Sequence, residues 1–147
     1  MMAATSSMNP SVDPLSAARP TLSCFLVEDS PVIRENLIAT FEEMLGMRVV
    51  GCAEDEQAAL RWLQGPDSSC DLMIIDIFLK TGTGLEVLSH AKALRPGMKL
   101  VVLSNYATTE MRRRCLLLGA DRVFDKSAEL EELLAYCESV PENPSHQ

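Results

Sequence analysis

Three runs in this chain are apolar without alternation and too short to be helices. They lie in TLSCFLV (21–27), DLMIID (71–76) and MKLVVLS (98–104). A strand covered on one face alternates apolar and polar residues, whereas a strand buried on both faces reads as a continuous apolar run. Three such strands call for a sheet covered on both sides. Helical patterns separate them, so the strands run parallel and the helices form the right-handed crossovers.

The intervening segments fit that frame. SPVIRENLIATFEEMLG (30–46) places Ser30 as a cap and Pro31 at the first helical position, followed by a stripe of Ile33, Leu37, Phe41 and Met44. MRVVGCA (47–53) reads as a second, weaker strand. Residues 55–64, with Ala59, Leu60 and Leu63, form a helix ended by Gly65-Pro66. GLEVLSHAKAL (84–94) is a helix closed by Arg95-Pro96-Gly97. Residues 108–118 form another, stopped by Gly119. ADRVFDK (120–126) holds a short fifth strand, and 128–138 a last helix carrying Leu130, Leu133, Leu134 and Cys137. The reading is an α/β fold: a five-stranded parallel sheet with helices on both faces.

One domain accounts for residues 21–139. Residues 1–20, rich in Ser, Ala and Pro without periodicity, read as a flexible tail, and residues 140–147 as a second tail or the start of a linker. The net charge of −8 disfavours nonspecific binding to nucleic acid or to an anionic membrane. No apolar run is long enough to span a bilayer, and no leader pattern opens the chain. A cytoplasmic protein is expected. Cys24, Cys52, Cys70, Cys115 and Cys137 have neither zinc nor redox-motif spacing and read as reduced core thiols.

In parallel α/β sheets the chemistry gathers outside the carboxyl ends of the strands. There the first strand ends in Glu28-Asp29, the third in Asp76, the fourth in Ser104 and the fifth in Lys126. Any one of these alone is ordinarily a cap or a solvated charge. Together they bring three acids, a hydroxyl and an ammonium to one edge. Three close carboxylates repel, and a hard divalent cation such as Mg2+ would relieve that repulsion. Asp76 is then placed as a nucleophile able to form an aspartyl phosphate. Ser104 could bond a phosphoryl oxygen, and Lys126 could pair with carboxylate or phosphate.

The residues LVEDS (26–30), IIDIFLKTGTG (74–84), VVLSNY (101–106), GAD (119–121) and FDKS (124–127) resemble the receiver domain of bacterial two-component response regulators of the chemotaxis type. The resemblance covers residues 21–139. It implies the strand order 2-1-3-4-5 and Asp76 as phosphoacceptor. It implies a Mg2+ site formed by Glu28, Asp29, Asp76 and the backbone carbonyl of Phe78. Ser104 matches the switching hydroxyl, and Lys126 the lysine that pairs with Asp76 or its phosphate. The phosphoryl group would come from a sensor histidine kinase or a histidine phosphotransfer domain. Signalling would reshape the face of helix four, strand five and helix five toward a downstream protein, with a homodimer through that face left open. Turnover on such a domain is slow self-phosphorylation and self-dephosphorylation, a switch rather than an enzyme.

Several positions depart from that family's pattern. Lys80 and Ser127 stand where prolines are frequent. Asn105 is larger than the usual residue. Val123 stands where a switch aromatic is usual, with Phe124 expected to point to the opposite face. Tyr106 is a candidate substitute aromatic. Phe78 and Tyr106 flank the expected path of hydrolytic water, where bulk would slow loss of the phosphoryl group. These departures sustain an alternative, a degenerate receiver acting as a phosphorylation-independent adaptor. A metal-dependent hydrolase is a third class, but no dedicated acid–base group is visible. Arg112-Arg113-Arg114 reads as a solvated basic run or a docking patch spread around its helix, Trp62 as packing, and His90 and His146 as ordinary residues.

Overall fold

The first strand, β1 (Ser23–Val27), is buried along its whole length, and every neighbour it has runs parallel to it. The computed structural model describes residues 21–66 and 69–140. The tails expected over 1–20 and 140–147 lie outside these residues except for Val140. After β1 come α1 (Pro31–Leu45), β2 (Arg48–Ala53), α2 (Glu56–Gln64), β3 (Leu72–Ile75), α3 (Gly84–Leu94), β4 (Lys99–Ser104), α4 (Thr109–Leu117), β5 (Arg122–Asp125) and α5 (Leu130–Ser139). The sheet order is β2-β1-β3-β4-β5, all parallel, which is the expected 2-1-3-4-5.

Alternate residues of the buried strands feed two separate cores. Phe25, Val27, Met73, Ile75, Leu100, Val102 and Val123 pack under α2, α3 and α4. Cys24, Leu26, Leu72, Ile74, Val101, Leu103 and Phe124 pack under α1 and α5. Period-2 geometry explains the uninterrupted apolar runs, since both faces need filling. Val123 and Phe124 do fall on opposite faces.

Local chemistry sets the helix ends. Ser30 Oγ accepts from Ile33 N, with Pro31 in the first turn, and Gly46 closes α1 at φ 65°. Asp55, Thr83 and Thr108 cap α2, α3 and α4 in the same way. Two sequence expectations are corrected here. Met44 does not belong to the buried stripe of α1 and is 70% exposed; Leu45 packs against the core in its place. After the Gly46 turn, Met47 plugs the end of that core. Cys52 is exposed and is not a core thiol, because β2 is an edge strand. The other four cysteines are buried.

Trp62 is a packing residue. Its ring stacks on Phe25 at 4.0 Å, and Phe25 in turn lies over Gly51 of β2, where a Cβ would come within 3.0 Å of the ring. At the amino edge of the sheet, buried Asp71 accepts from Ser23 N at 2.7 Å and Ser23 Oγ at 3.2 Å. That carboxylate is structural, and the amino edge is thereby closed. Among the described residues no helix is long and apolar enough to cross a membrane.

Candidate functional site

At the carboxyl edge the ladder continues one residue past each strand. Glu28 N donates to Ala53 O, Asp76 N to Val27 O, and Lys126 N to Ser104 O, at 3.0, 3.0 and 2.8 Å. These bonds fix the backbone of three charged residues drawn from widely separated parts of the chain. Lys126 Nζ lies 2.8 Å from Glu28 Oε1 and 3.1 Å from Asp76 Oδ2. The side chains of Glu28, Asp76 and Lys126 are 2%, 8% and 11% exposed, so the pairing takes place largely out of water. Burial pushes the Asp76 carboxyl up from its ordinary range, Lys126 pulls it down, and Glu28 pushes it up again; the net direction is upward.

Glu28, Asp29 and Asp76 each offer a carboxylate oxygen within 4.8 Å of one another. Three carboxylates and one ammonium leave negative charge uncompensated at the cluster. Hard oxygen donors on a half-open edge suit a divalent cation that keeps several waters. The cluster fits such an ion by its chemistry.

The loop after β3 is tied down on both sides. Lys80 N donates to Asp29 Oδ2 at 2.7 Å, Phe78 N to Asp76 Oδ1 at 3.3 Å, and Thr83 N to Glu56 Oε1 at 2.9 Å. Gly84 lies so close to Asp76 that a Cβ there would overlap the Asp76 carbonyl oxygen. Gly82 takes φ 83° beneath Glu56. The glycines of the TGTG stretch therefore serve a tight return beside the acid and do not form a phosphate cradle.

Ser104 is fully buried at the end of β4, and its Oγ accepts from Tyr106 N at 3.0 Å. Tyr106 and Phe78 are exposed above the site and meet edge to face at 5.1 Å. Tyr106 does not line the cleft between α4 and β5, which is formed by Arg112, Leu116, Asp121–Phe124, Glu129 and Glu132. His90 is exposed on α3, and His146 lies outside the described residues.

The chain matches the response regulator receiver domain family over residues 24–138. It belongs to that family. The family is the phosphorylated-aspartate receiver module of two-component response regulators. A probable transcriptional regulatory protein of Picosynechococcus sp. is 32% identical over 120 residues, or 78% of this chain and 47% of that protein. The CheY-like receiver domain protein of Methanospirillum hungatei is 27% identical, with a TM-score of 0.71 over 82% of this chain and 93% of its own. The phosphorylated cyanobacterial phytochrome response regulator RcpA is 26% identical, with a TM-score of 0.65 over 82% of this chain and 91% of its own. The chain spans less than half the length of the first curated relatives it matches, 29% and 47%.

Three residues that pattern reading did not single out shape this receiver's site. Arg34 Nη1 donates to the Glu28 carbonyl at 3.1 Å, Glu56 holds the loop after β3, and Glu129 pairs with Arg112. Their partners lie in other elements, so no local spacing announces them.

Proposed function

We propose that the domain accepts a phosphoryl group on Asp76 from a phosphohistidine of a sensor kinase or phosphotransfer domain. An Asp76 carboxylate oxygen attacks phosphorus, the N–P bond breaks, and the imidazole leaves with the electron pair and takes up a proton. The observation that carries this reading is the Lys126 ammonium set against both Glu28 and Asp76 beside a three-carboxylate cluster. The phosphorylated state of a similar response regulator supports it.

Glu28, Asp29, Asp76 and the Phe78 carbonyl are the groups that would hold Mg2+. When bound, the ion supplies positive charge where negative charge spreads over the phosphoryl oxygens. Lys126 compensates Asp76 before transfer and the phosphoryl group after it. Ser104 turns its hydroxyl from Tyr106 N to a phosphoryl oxygen. The signal is then read on the face of α4, β5 and α5 by a protein target or a second copy. Residues 21–139 form the receiver, acting in the cytoplasm and making no direct contact with nucleic acid. The family match and the end of α5 at Ser139 support that boundary.

The test is incubation with Mg2+ and acetyl phosphate, followed by intact-mass spectrometry. A gain of about 80 Da in the wild type and none in Asp76→Asn is expected. No adduct in the wild type, with no binding of Mg2+, would overturn the reading in favour of the phosphorylation-independent adaptor.

A further inference from the structure

The three arginines in sequence at 112–114 are not equivalent in the fold. Arg113 is exposed and pairs with Glu110 one turn away on its own helix. Arg112 is turned inward, and its guanidinium reaches three elements at once. Nε donates to the Ala107 carbonyl at 2.8 Å, Nη1 to the Val123 carbonyl at 3.1 Å, and Nη2 to Glu129 Oε1 at 2.8 Å. The same Glu129 oxygen accepts from Asp125 N at 2.8 Å.

Asp125 sets the turn that carries Lys126. Its Oδ1 accepts from Ser127 N, Ser127 Oγ and Ala128 N at 2.8, 2.6 and 3.0 Å. Lys126 N donates back to Ser104 O, and Ser104 Oγ accepts from Tyr106 N, next to Ala107. A closed circuit results: Ser104, the 105–107 loop, Arg112, Glu129, the Asp125 turn, Lys126, and Ser104 again.

An exposed ion pair between two long side chains contributes little on its own. This one differs because the planar guanidinium also satisfies two backbone carbonyls on separate segments. The Arg112 hydrogen bond also holds Glu129 below the usual carboxylate range. Val123 lines the cleft between α4 and β5 together with Arg112 and Glu129.

We propose that the Arg112–Glu129 pair is a latch that ties the loop after Ser104 to the turn of Lys126 in the unphosphorylated domain, and that it opposes phosphorylation. The inference rests on Asp76 as the acceptor. When Ser104 Oγ turns to a phosphoryl oxygen, it gives up Tyr106 N. Residues 105–107 then move and draw the Ala107 carbonyl away from Arg112 Nε. Latch and phosphoryl group favour different arrangements of one loop, so each weakens the other.

Hydrogen exchange on the full chain tests the tie. Wild type is compared with Arg112→Gln, Glu129→Gln, the double variant and Arg112→Lys. Amides of 105–108 and 124–127 are expected to exchange about tenfold faster in both single variants. The double variant should exceed neither, since both changes break one interaction. Arg112→Lys should behave as Arg112→Gln, because an ammonium cannot span three acceptors. Phosphorylation by acetyl phosphate with Mg2+ should run about threefold faster in each single variant. Unchanged exchange in these segments, a rise spread over all of α4, or additive singles would overturn the tie. Phosphorylation no faster than wild type would overturn the opposition. A wild type that takes no phosphoryl group would remove the proposed function and the opposition with it, while the exchange pattern would still decide the tie.

Discussion

Lys126 Nζ stands 3.1 Å from Asp76 Oδ2, across 50 residues of chain, and the same nitrogen serves Glu28 at 2.8 Å. One ammonium therefore offsets two buried carboxylates. Lys126→Met removes it and leaves both acids facing each other. In chelator-buffered solution the variant should lose about 3–5 kcal/mol of stability by urea unfolding. A divalent cation should restore more stability to the variant than it adds to wild type. An unchanged midpoint would mean that water already screens the two carboxylates.

Asp76→Asn is expected to stabilise the metal-free fold. Burial raises the Asp76 carboxyl, Lys126 lowers it, and Glu28 raises it, for a net upward shift. A raised folded value means that the stability linked to the protonated group is complete below the unfolded value of 3.8 and is lost as pH rises through the folded value. At pH 7 the wild type carries that burden and the asparagine variant does not. Scanning calorimetry should show a Tm about 2–4 °C higher for the variant at pH 7, with the difference shrinking toward pH 4. A gain of equal size at both pH values would assign it to something other than ionisation.

Phe78 and Tyr106 form an edge-to-face pair over the site, and the two residues are 50% and 63% exposed. Under the proposed function, rings in that place would restrict the approach of water to a phosphoryl group on Asp76. The double variant Phe78→Ala/Tyr106→Ala should shorten the phosphoryl lifetime about fivefold, ~1 kcal/mol in the barrier. Decay of radiolabelled protein measures it, and a lifetime equal to wild type would leave the rings without that role.

Two glycines make a matched comparison. Gly46 ends α1 at φ 65° with open space around its Cβ position, so Gly46→Ala should cost only the left-handed backbone, about 1 kcal/mol. Gly84→Ala would overlap the Asp76 carbonyl and crowd Ile77 Cα at 2.8 Å. It should cost more, about 1–3 kcal/mol from overpacking alone, and slow phosphorylation by moving the Asp76 backbone. Denaturant unfolding of both variants, with equal losses, would contradict the close approach.

Strand runs, helix caps and the polar residues at the strand ends were legible because each depends on short-range spacing. The helical period lands between Met44 and Leu45, and only the neighbouring core decides between them. Cys52 looked internal because a strand's edge position follows from topology, not from its own residues. Arg112 sat inside what read as a solvated run. Its acceptors lie 5, 11 and 17 residues away, on a loop, a strand and a helix start. No periodicity encodes such a triple contact.

The stacking of Trp62 on Phe25 gives the protein separate optical reporters. The chain has one tryptophan and two tyrosines. Trp62 sits in the layer of α2, β1 and β2, so its fluorescence follows the integrity of that packing. Tyr106 stands at the acidic edge against Phe78, and Tyr136 lies on α5 beneath the Arg122 guanidinium at 5.1 Å. Integrity of the α2 layer can thus be followed through the tryptophan of an unlabelled chain, while tyrosine absorbance sums changes at the acidic edge and on the α5 face.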